Sequence, residues 1–95
     1  MVLFCIICRD KANAQEARAA ARAEHLAFVD TFGAQVKVAG PFLDDAGGMI
    51  GSLIIMDFAD KAAAQAFVDG DPYGKAGVFG GVDILPWKVT RGALG

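Results

Sequence analysis

His25 is the single histidine of the chain and the side chain best suited to acid–base chemistry, because an imidazole takes up and releases protons near neutral pH. Arg18 and Arg22 precede it by seven and three positions, which places the three side chains on one face of a helix. Two guanidinium groups beside an imidazole attract an anion such as a carboxylate or phenolate. The alternatives are a core histidine with one hydrogen bond and a solvated basic face, and pairing with an acidic residue is the favoured interpretation for Arg18.

The segment Asp71-Pro72-Tyr73 supplies the carboxylate for such a histidine. Pro72 restricts the backbone of Asp71, so a rigidly held carboxylate can orient an imidazole and raise its basicity. An N-cap is the competing interpretation of Asp71, and one carboxylate can serve both roles. Asp44 is a turn residue by default, although the residues alone leave open whether Asp71 or Asp44 partners His25. Ser52 lacks a nucleophile motif, so Ser52 and Tyr73 are candidates for contacting a substrate or simply for packing.

The cysteines Cys5 and Cys8 have a CxxC spacing but lie in a run of β-branched and aromatic residues. Positions three apart in a strand point to opposite faces, so neither a disulfide nor a shared metal ion is within reach. With one histidine, the chain also lacks the ligands of a zinc site. We therefore predict two buried thiols and no metal site within one chain.

The first half of the chain must position His25. An apolar run predicts a strand over residues 2–8, and an alanine-rich segment predicts a helix over 13–32, with Asn13 as N-cap, Glu16 completing a capping box and Gly33 ending the helix. The side chains expected to face inward are those recurring at helical spacing, namely Ala21, His25, Phe28 and Phe32, widened by Leu26 and Val29.

The second half reads as alternating strands and helices with short turns. The predicted elements are a strand over 35–40, a loop over 42–48, a strand over 49–58, a helix over 61–69 capped by Asp60, a turn with a short helical piece over 70–77, and a strand over 82–90. Pro86 favours an edge position or a bulge for the last strand. Trp87 in that strand is expected to belong to the core or an interface.

The order β-α-β-β-α-β predicts an α+β, ferredoxin-like fold in which helices cover one face of a four-stranded antiparallel sheet. The strands over 2–8 and 49–58 are nevertheless apolar on both faces, which is typical of a sheet covered on both sides. A second copy of the chain against the open face is the simplest cover. We therefore expect a homodimer through that face.

Composition narrows the class of protein. Ninety-five residues, 55% of them hydrophobic and 21% charged, predict one folded domain over 1–95 rather than a disordered chain. The net charge of −2 disfavours a nucleic-acid partner, and no apolar run reaches the roughly 18–20 residues of a membrane span. The apolar N-terminus lacks a basic region and meets Arg9 and Asp10 too early for a signal peptide, so we expect a cytoplasmic protein.

Several segments together resemble the YciI-like (YCII-related) family: 22–28 (RAEHLAF), 39–41 (AGP), 51–55 (GSLII), 71–73 (DPY), 76–79 (AGVF) and 85–88 (LPWK). The resemblance covers nearly the whole chain in order and spacing. It implies a dimeric α+β barrel of ferredoxin-like subunits, the architecture of muconolactone isomerases and of cofactor-independent monooxygenases of small aromatics. It also implies an active site built around a histidine and an aspartate, here His25 and Asp71. Most members lack an established reaction, and at least one relative is a dehydrochlorinase.

These observations predict a cofactor-independent enzyme that transfers protons on a small aromatic or lactone-like metabolite, by isomerisation or by HX elimination. His25 and Asp71 are the expected catalytic residues, and Arg22, Tyr73 and Ser52 the expected substrate-binding residues. The alternative is a non-catalytic small-molecule-binding or accessory protein that uses the same pocket.

Overall fold

The computed structural model describes residues 2–93, which form one antiparallel sheet with helices on one of its faces. The elements, in chain order, are β1 (Val2–Asp10), α1 (Gln15–Asp30), a 3-10 turn (Gly33–Gln35), β2 (Val36–Leu43), β3 (Met49–Phe58), α2 (Lys61–Gly70), α3 (Pro72–Lys75) and β4 (Phe79–Pro86). The strand order is β2-β3-β1-β4. The predicted α+β, ferredoxin-like fold class is therefore confirmed.

Strands β1 and β3 lie in the centre of the sheet, and their pairing fixes which side chains share a face. Cys8 is opposite Ser52 and Ile6 is opposite Ile54 across the β1–β3 pair. Because side chains alternate along a strand, these four residues point to the same side. That side meets the helices, and its buried cluster contains Phe4, Ile6, Cys8, Ile54, Met56, Phe58, Ala64, Phe67 and Ile84.

The two cysteines lie on opposite faces of β1, as predicted. Cys8 belongs to the cluster beneath the helices, whereas the alternation puts Cys5 on the open face. Both thiols are free and buried. Within residues 2–93, no group of three or more histidine, cysteine, aspartate or glutamate side chains is placed to hold a metal ion, and no described helix is long and apolar enough to cross a membrane.

Helix α1 is shorter than predicted, and its N-terminus differs in kind. Asn13 is not the N-cap: it adopts a left-handed backbone with φ of 61°, and Ala14 precedes the first helical turn without a capping side chain. The helix ends at Asp30, and Gly33, with φ of 54°, begins the following 3-10 turn. Leu26 was expected to face inward but is exposed.

The β2–β3 hairpin is longer than predicted. Residues Phe42 and Leu43, expected in a loop, pair with Gly51 and Met49 as part of β2. This is possible because Asp44 closes the turn tightly, its Oδ1 accepting hydrogen bonds from the backbone amides of residues 46 and 48 at 3.0 and 2.8 Å.

Strand β4 begins earlier and ends earlier than the predicted strand over 82–90. It starts at Phe79, which pairs with Asp10, and Lys11 extends the contact by donating its amide to the carbonyl of Val78. The regular strand stops at Pro86, and β4 occupies the sheet edge that Pro86 predicted. Trp87 lies just after the strand and is partly exposed, so it is not a core residue.

Candidate active site

His25 and Arg18 lie two turns apart on α1, on the side that packs toward the sheet. Both are buried, and Ala21, one turn after Arg18, is buried with them. Small side chains flank these residues along the alanine-rich helix, which allows α1 to approach α3 and the sheet closely. The helix thus holds two polar side chains in an otherwise apolar layer.

The buried imidazole of His25 forms a hydrogen bond with Asp71, with 2.8 Å between Nδ1 and Oδ1. Asp71 is 1% exposed and is also the N-cap of α3, because the same oxygen accepts from the backbone amide of Tyr73 at 3.0 Å. Asp71 therefore makes both of the contacts that its two sequence-based interpretations require. An ionised Asp71 requires a proton on Nδ1, which leaves Nε2 of a neutral imidazole free to accept one.

Tyr73 packs flat against His25. Their ring centroids are 3.8 Å apart and the ring planes differ by 11°. The guanidinium carbon of Arg18 lies 4.6 Å from the centroid of the same Tyr73 ring, within the range of a cation–π contact. One buried ring therefore contacts both of the buried polar residues of α1.

Arg18 is 4% exposed and belongs to a buried network, contrary to the expected solvated face. The expected acidic partner exists: Nε and Nη2 of Arg18 bind the two carboxylate oxygens of Asp10 at 2.7 and 3.0 Å. Nη2 also donates to Oγ of Ser52 at 2.9 Å. Burial by itself lowers the pKa of the Arg18 guanidinium, but Asp10 and, to a smaller extent, Tyr73 together more than reverse this, so the net pKa is raised and Arg18 stays charged.

A cavity of about 250 Å³ opens between α1, the middle of β2 and the start of β3. Its polar lining consists of Arg18, Arg22, His25, Ser52 and Tyr73. The rest is apolar or backbone, from Leu26, Val29, Met49, Ile54 and the segment 39–41. All the residues predicted to bind substrate, and His25, therefore border one space, while Asp71 supports His25 from behind.

Arg22 and Leu26 project from the exposed side of α1 into the edge of this cavity. Leu26 therefore lines the cavity instead of packing in the core. Asp44, the alternative partner of His25, is occupied in the β2–β3 turn.

Cys8 lies beneath the site in the core. Its burial raises the pKa of the thiol, and the nearby carboxylates of Asp71 and Asp10 raise it further against the opposing effect of Arg18, to about 12. A thiol with this pKa is protonated at neutral pH and is a poor nucleophile. Cys8 is thus a packing residue of the site.

A larger cavity of about 480 Å³ lies at the N-terminus of α1 and is lined by residues 10–16 with Met49 and Ile50. It contains no histidine and none of the stacked aromatic groups described above. We place the candidate active site at the smaller cavity because the hydrogen-bonded acid–base pair is there.

The sequence does not reveal two features of this site. The spacing of seven puts Arg18 on the helix face of His25, but neither the burial of Arg18 nor its ion pair with Asp10 is apparent from the sequence. The position of Asp10, at the end of β1 on the helix side, becomes informative only once the strand length is known.

Comparison with known proteins places the chain in a family. Residues 2–88 match the YCII-related domain. The chain belongs to the YCII-related family. It is 37% identical to Protein YciI of Escherichia coli O6:H1 over 92% of this chain and 97% of that protein, and 34% identical to an uncharacterized protein of Haemophilus influenzae over 90% and 95%.

Among solved structures, the chain is similar to the 5-chloro-2-hydroxyhydroquinone dehydrochlorinase TftG of Burkholderia phenoliruptrix AC1100, determined in complex with 2,5-dihydroxybenzoquinone. The TM-score is 0.84 and the sequence identity 34%, over 90% of this chain and 93% of TftG. Protein Atu4242 of Agrobacterium tumefaciens shares the fold with a TM-score of 0.57 at 15% identity, covering 96% and 95% of the two chains. The family and the fold of a dimeric α+β barrel subunit are thus those expected from the sequence.

Proposed function

We propose that this member of the YCII-related family is a cofactor-independent enzyme that transfers a proton on a small, cyclic, oxygen-bearing metabolite. The observation that carries the proposal is the 2.8 Å hydrogen bond between buried Asp71 and Nδ1 of His25, with His25 bordering a cavity. Asp71 fixes the tautomer and stabilises the imidazolium after protonation. Nε2 is then the general base.

The reaction class follows from what the His25–Asp71 pair can do by proton transfer alone, without a nucleophilic side chain. Nε2 of His25 takes an acidic proton from the substrate, and the released electron pair moves into the ring. In an isomerisation the proton returns to another carbon. In an HX elimination the C–X bonding pair leaves with the halide, so the substrate loses HX overall and neither oxidant nor reductant is needed. The dehydrochlorinase activity named for TftG supports the second variant.

Arg22 supplies the positive charge that this chemistry requires. It borders the cavity on the exposed side of α1 and has no carboxylate partner among the ion pairs of residues 2–93. Negative charge develops on a ring oxygen as the proton leaves, and an adjacent guanidinium stabilises that oxygen.

We further propose that the chain works as a homodimer through the open sheet face. Alternation along the strands puts Leu3, Ile7, Leu53 and Leu85 on that face, and Leu85 is 51% exposed. A contiguous apolar surface of this kind marks an interface. A second copy presents an identical patch, which a two-fold contact covers on both subunits.

The function is tested with a panel of chlorinated hydroxyhydroquinones and unsaturated lactones. Chloride release is followed with a selective electrode and isomerisation by ultraviolet absorbance, for the wild type, for His25→Gln and for Arg91→Gln as a control outside the cavity. We expect turnover by the wild type and Arg91→Gln and none by His25→Gln. Saturable binding of these compounds without turnover by the wild type would instead establish the accessory, non-catalytic alternative.

A further inference from the structure

We infer that Tyr73 is a catalytic residue, whose hydroxyl donates a hydrogen bond to the substrate oxygen that becomes negative as His25 removes a proton. The inference rests on the proposed function, because it concerns the same cavity and the same proton transfer. It assigns the hydroxyl of Tyr73 a chemical role that the ring alone does not have, and it makes Arg18 a positioning residue.

Tyr73 is held rigidly beside the imidazole. Its ring stacks on that of His25, with centroids 3.8 Å apart, and an edge contact with Phe79 holds it from another side at 6.2 Å between centroids. The Tyr73 amide donates to the same oxygen of Asp71 that binds the imidazole, at 3.0 and 2.8 Å respectively. One carboxylate and two ring contacts therefore fix the hydroxyl relative to the proposed base.

The Tyr73 hydroxyl faces the cavity without a partner. The residue is 2% exposed, borders the cavity and forms no hydrogen bond through its hydroxyl with any other of residues 2–93. Within these residues, the one side-chain polar atom that is both sealed from solvent and unpaired is Oδ1 of Asp57. The hydroxyl of Tyr73 therefore keeps some accessible surface, and the cavity is the space that provides it.

Arg18 directs the hydroxyl proton toward the cavity. Its guanidinium carbon lies 4.6 Å from the centroid of the Tyr73 ring. Burial lowers the pKa of Arg18, whereas Asp10 and, to a smaller extent, Tyr73 raise it. A guanidinium has donors only, so a hydroxyl beside it turns a lone pair toward the cation and its proton away from it.

The lining of the cavity leaves this proton for a ligand. No carboxylate of the described residues belongs to the lining, since Asp10 and Asp71 lie behind it, where they bind side chains of α1. The cavity of about 250 Å³ holds a small ligand that reaches the imidazole and the hydroxyl at once, because the two rings are in contact. A fixed donor at the oxygen that gains charge stabilises the transition state without reorganising, and it adds to the charge that the exposed Arg22 supplies.

Packing alone is the competing role of Tyr73. Phenylalanine separates the two roles, because it keeps the stack on His25 and the contact with Phe79 and removes only the hydroxyl. A packing residue therefore tolerates Tyr73→Phe in ligand binding and in turnover. A donor loses both the affinity for an oxyanion and the rate of proton transfer.

The first arm of the test measures turnover of the substrate panel by the wild type, by Tyr73→Phe and by Arg91→Gln, a control outside the cavity. We expect the kcat of Tyr73→Phe to fall about 10²-fold. Its KM should stay nearly unchanged, because the hydrogen bond strengthens only as charge develops on the oxygen. Arg91→Gln should match the wild type, and circular dichroism checks the fold of both variants.

The second arm needs no turnover. It measures the binding of 4-nitrophenolate, a single-ring oxyanion, by calorimetry at a pH at which this probe is ionised. We expect Tyr73→Phe to bind it about 10- to 100-fold more weakly than the wild type and Arg91→Gln do. The absorption band of the bound probe should also lie at shorter wavelength in the wild type, because a hydrogen bond stabilises the ground-state charge on the oxygen.

A third arm needs no substitution. Tyr73 is the single tyrosine of the chain, so growth on 3-fluorotyrosine modifies this hydroxyl alone, and the fluorine makes the phenol a stronger donor. We expect the fluorinated protein to bind 4-nitrophenolate more tightly than the unlabelled protein, and its fluorine NMR signal to shift when the probe binds. This measurement decides the matter if Tyr73→Phe does not fold.

Equal kcat in folded Tyr73→Phe and wild type overturns the catalytic role and leaves proton transfer by His25 intact. Equal affinity of the two proteins for 4-nitrophenolate, or no binding by the wild type, overturns the donor. Fluorination that changes neither the affinity nor the signal does the same. Weaker phenolate binding by Tyr73→Phe, together with no turnover of the panel by the wild type, upholds the donor and rejects the enzyme.

Discussion

At the residue scale, one oxygen of Asp71 accepts two hydrogen bonds, from Nδ1 of His25 and from the amide of Tyr73. Asn at this position can keep both contacts through its carbonyl oxygen while removing the negative charge. We therefore expect Asp71→Asn to remain folded and to lose about tenfold in kcat, because the imidazolium loses its counter-charge. Asp71→Ala also releases the imidazole, and its kcat should fall about 10²- to 10⁴-fold.

Steady-state kinetics on the best substrate of the panel measures both variants. Circular dichroism serves as the control for folding, since both changes remove or alter the N-cap of α3. Equal kcat values for Asp71→Asn and the wild type would show that the charge of Asp71 does not support the reaction.

Cys8 gives a prediction for alkaline pH. Its pKa is raised from 9.0 in the unfolded chain to about 12 in the fold, chiefly by burial. Between these values the unfolded state loses the thiol proton and the folded state keeps it, so the free energy of unfolding decreases as pH rises above about 9. In urea titrations under reducing conditions, the stability gap between wild type and Cys8→Ala should narrow by about 1–2 kcal/mol up to pH 10.5. A gap that stays constant with pH would contradict this.

Sequence and structure agree at this scale where the determining contacts are local. The Asp-Pro-Tyr segment predicted a rigid carboxylate, and helical spacing predicted that Arg18, Arg22 and His25 lie near one another, as they do around the cavity. The partner of Arg18 was not predictable in the same way, because Asp10 and Ser52 reach it only through the length of β1 and the β1–β3 register.

At the element scale, the two main helices begin in different ways. In α2 the side chain of Asp60 accepts a hydrogen bond from the amide of Ala63 at 2.9 Å, as its sequence predicted. In α1 the expected cap is missing, because Asn13 adopts a left-handed conformation in the connection from β1. Local propensity was sufficient for α2, whereas the path of the chain from β1 determines the start of α1.

We expect Asp60→Ala to lower the free energy of unfolding by about 1 kcal/mol, since an amide at the start of α2 loses its acceptor. Asp69→Ala, which removes a surface contact with Gln65 on the same helix, is the matched control and should change stability by less. Urea denaturation measures both. A larger effect at Asp69 would mean that the cap of α2 does not stabilise the fold as described.

At the scale of the whole molecule, the apolar side chains lie in two places. One is the core between helices and sheet, and the other is the open face that includes Leu85. We expect Leu85→Lys to produce monomers in analytical ultracentrifugation, because a charge would be buried in the proposed dimer interface. Ile50 is exposed to a similar extent (45% against 51% for Leu85), but alternation along β3 puts its side chain on the helix-covered face of the sheet. Ile50→Lys should therefore leave the dimer intact. A wild type that sediments as a monomer would refute the dimer.

The His25–Asp71 pair is tested most directly by the rate constant for turnover in His25→Gln. Glutamine approximates the size of the imidazole and can donate to Asp71, but it cannot act as a base. The account predicts a kcat at least about 10²-fold below that of the wild type, with KM nearly unchanged and the protein folded. A kcat within twofold of the wild-type value would contradict it, and would remove proton transfer by His25 from the function of this cavity.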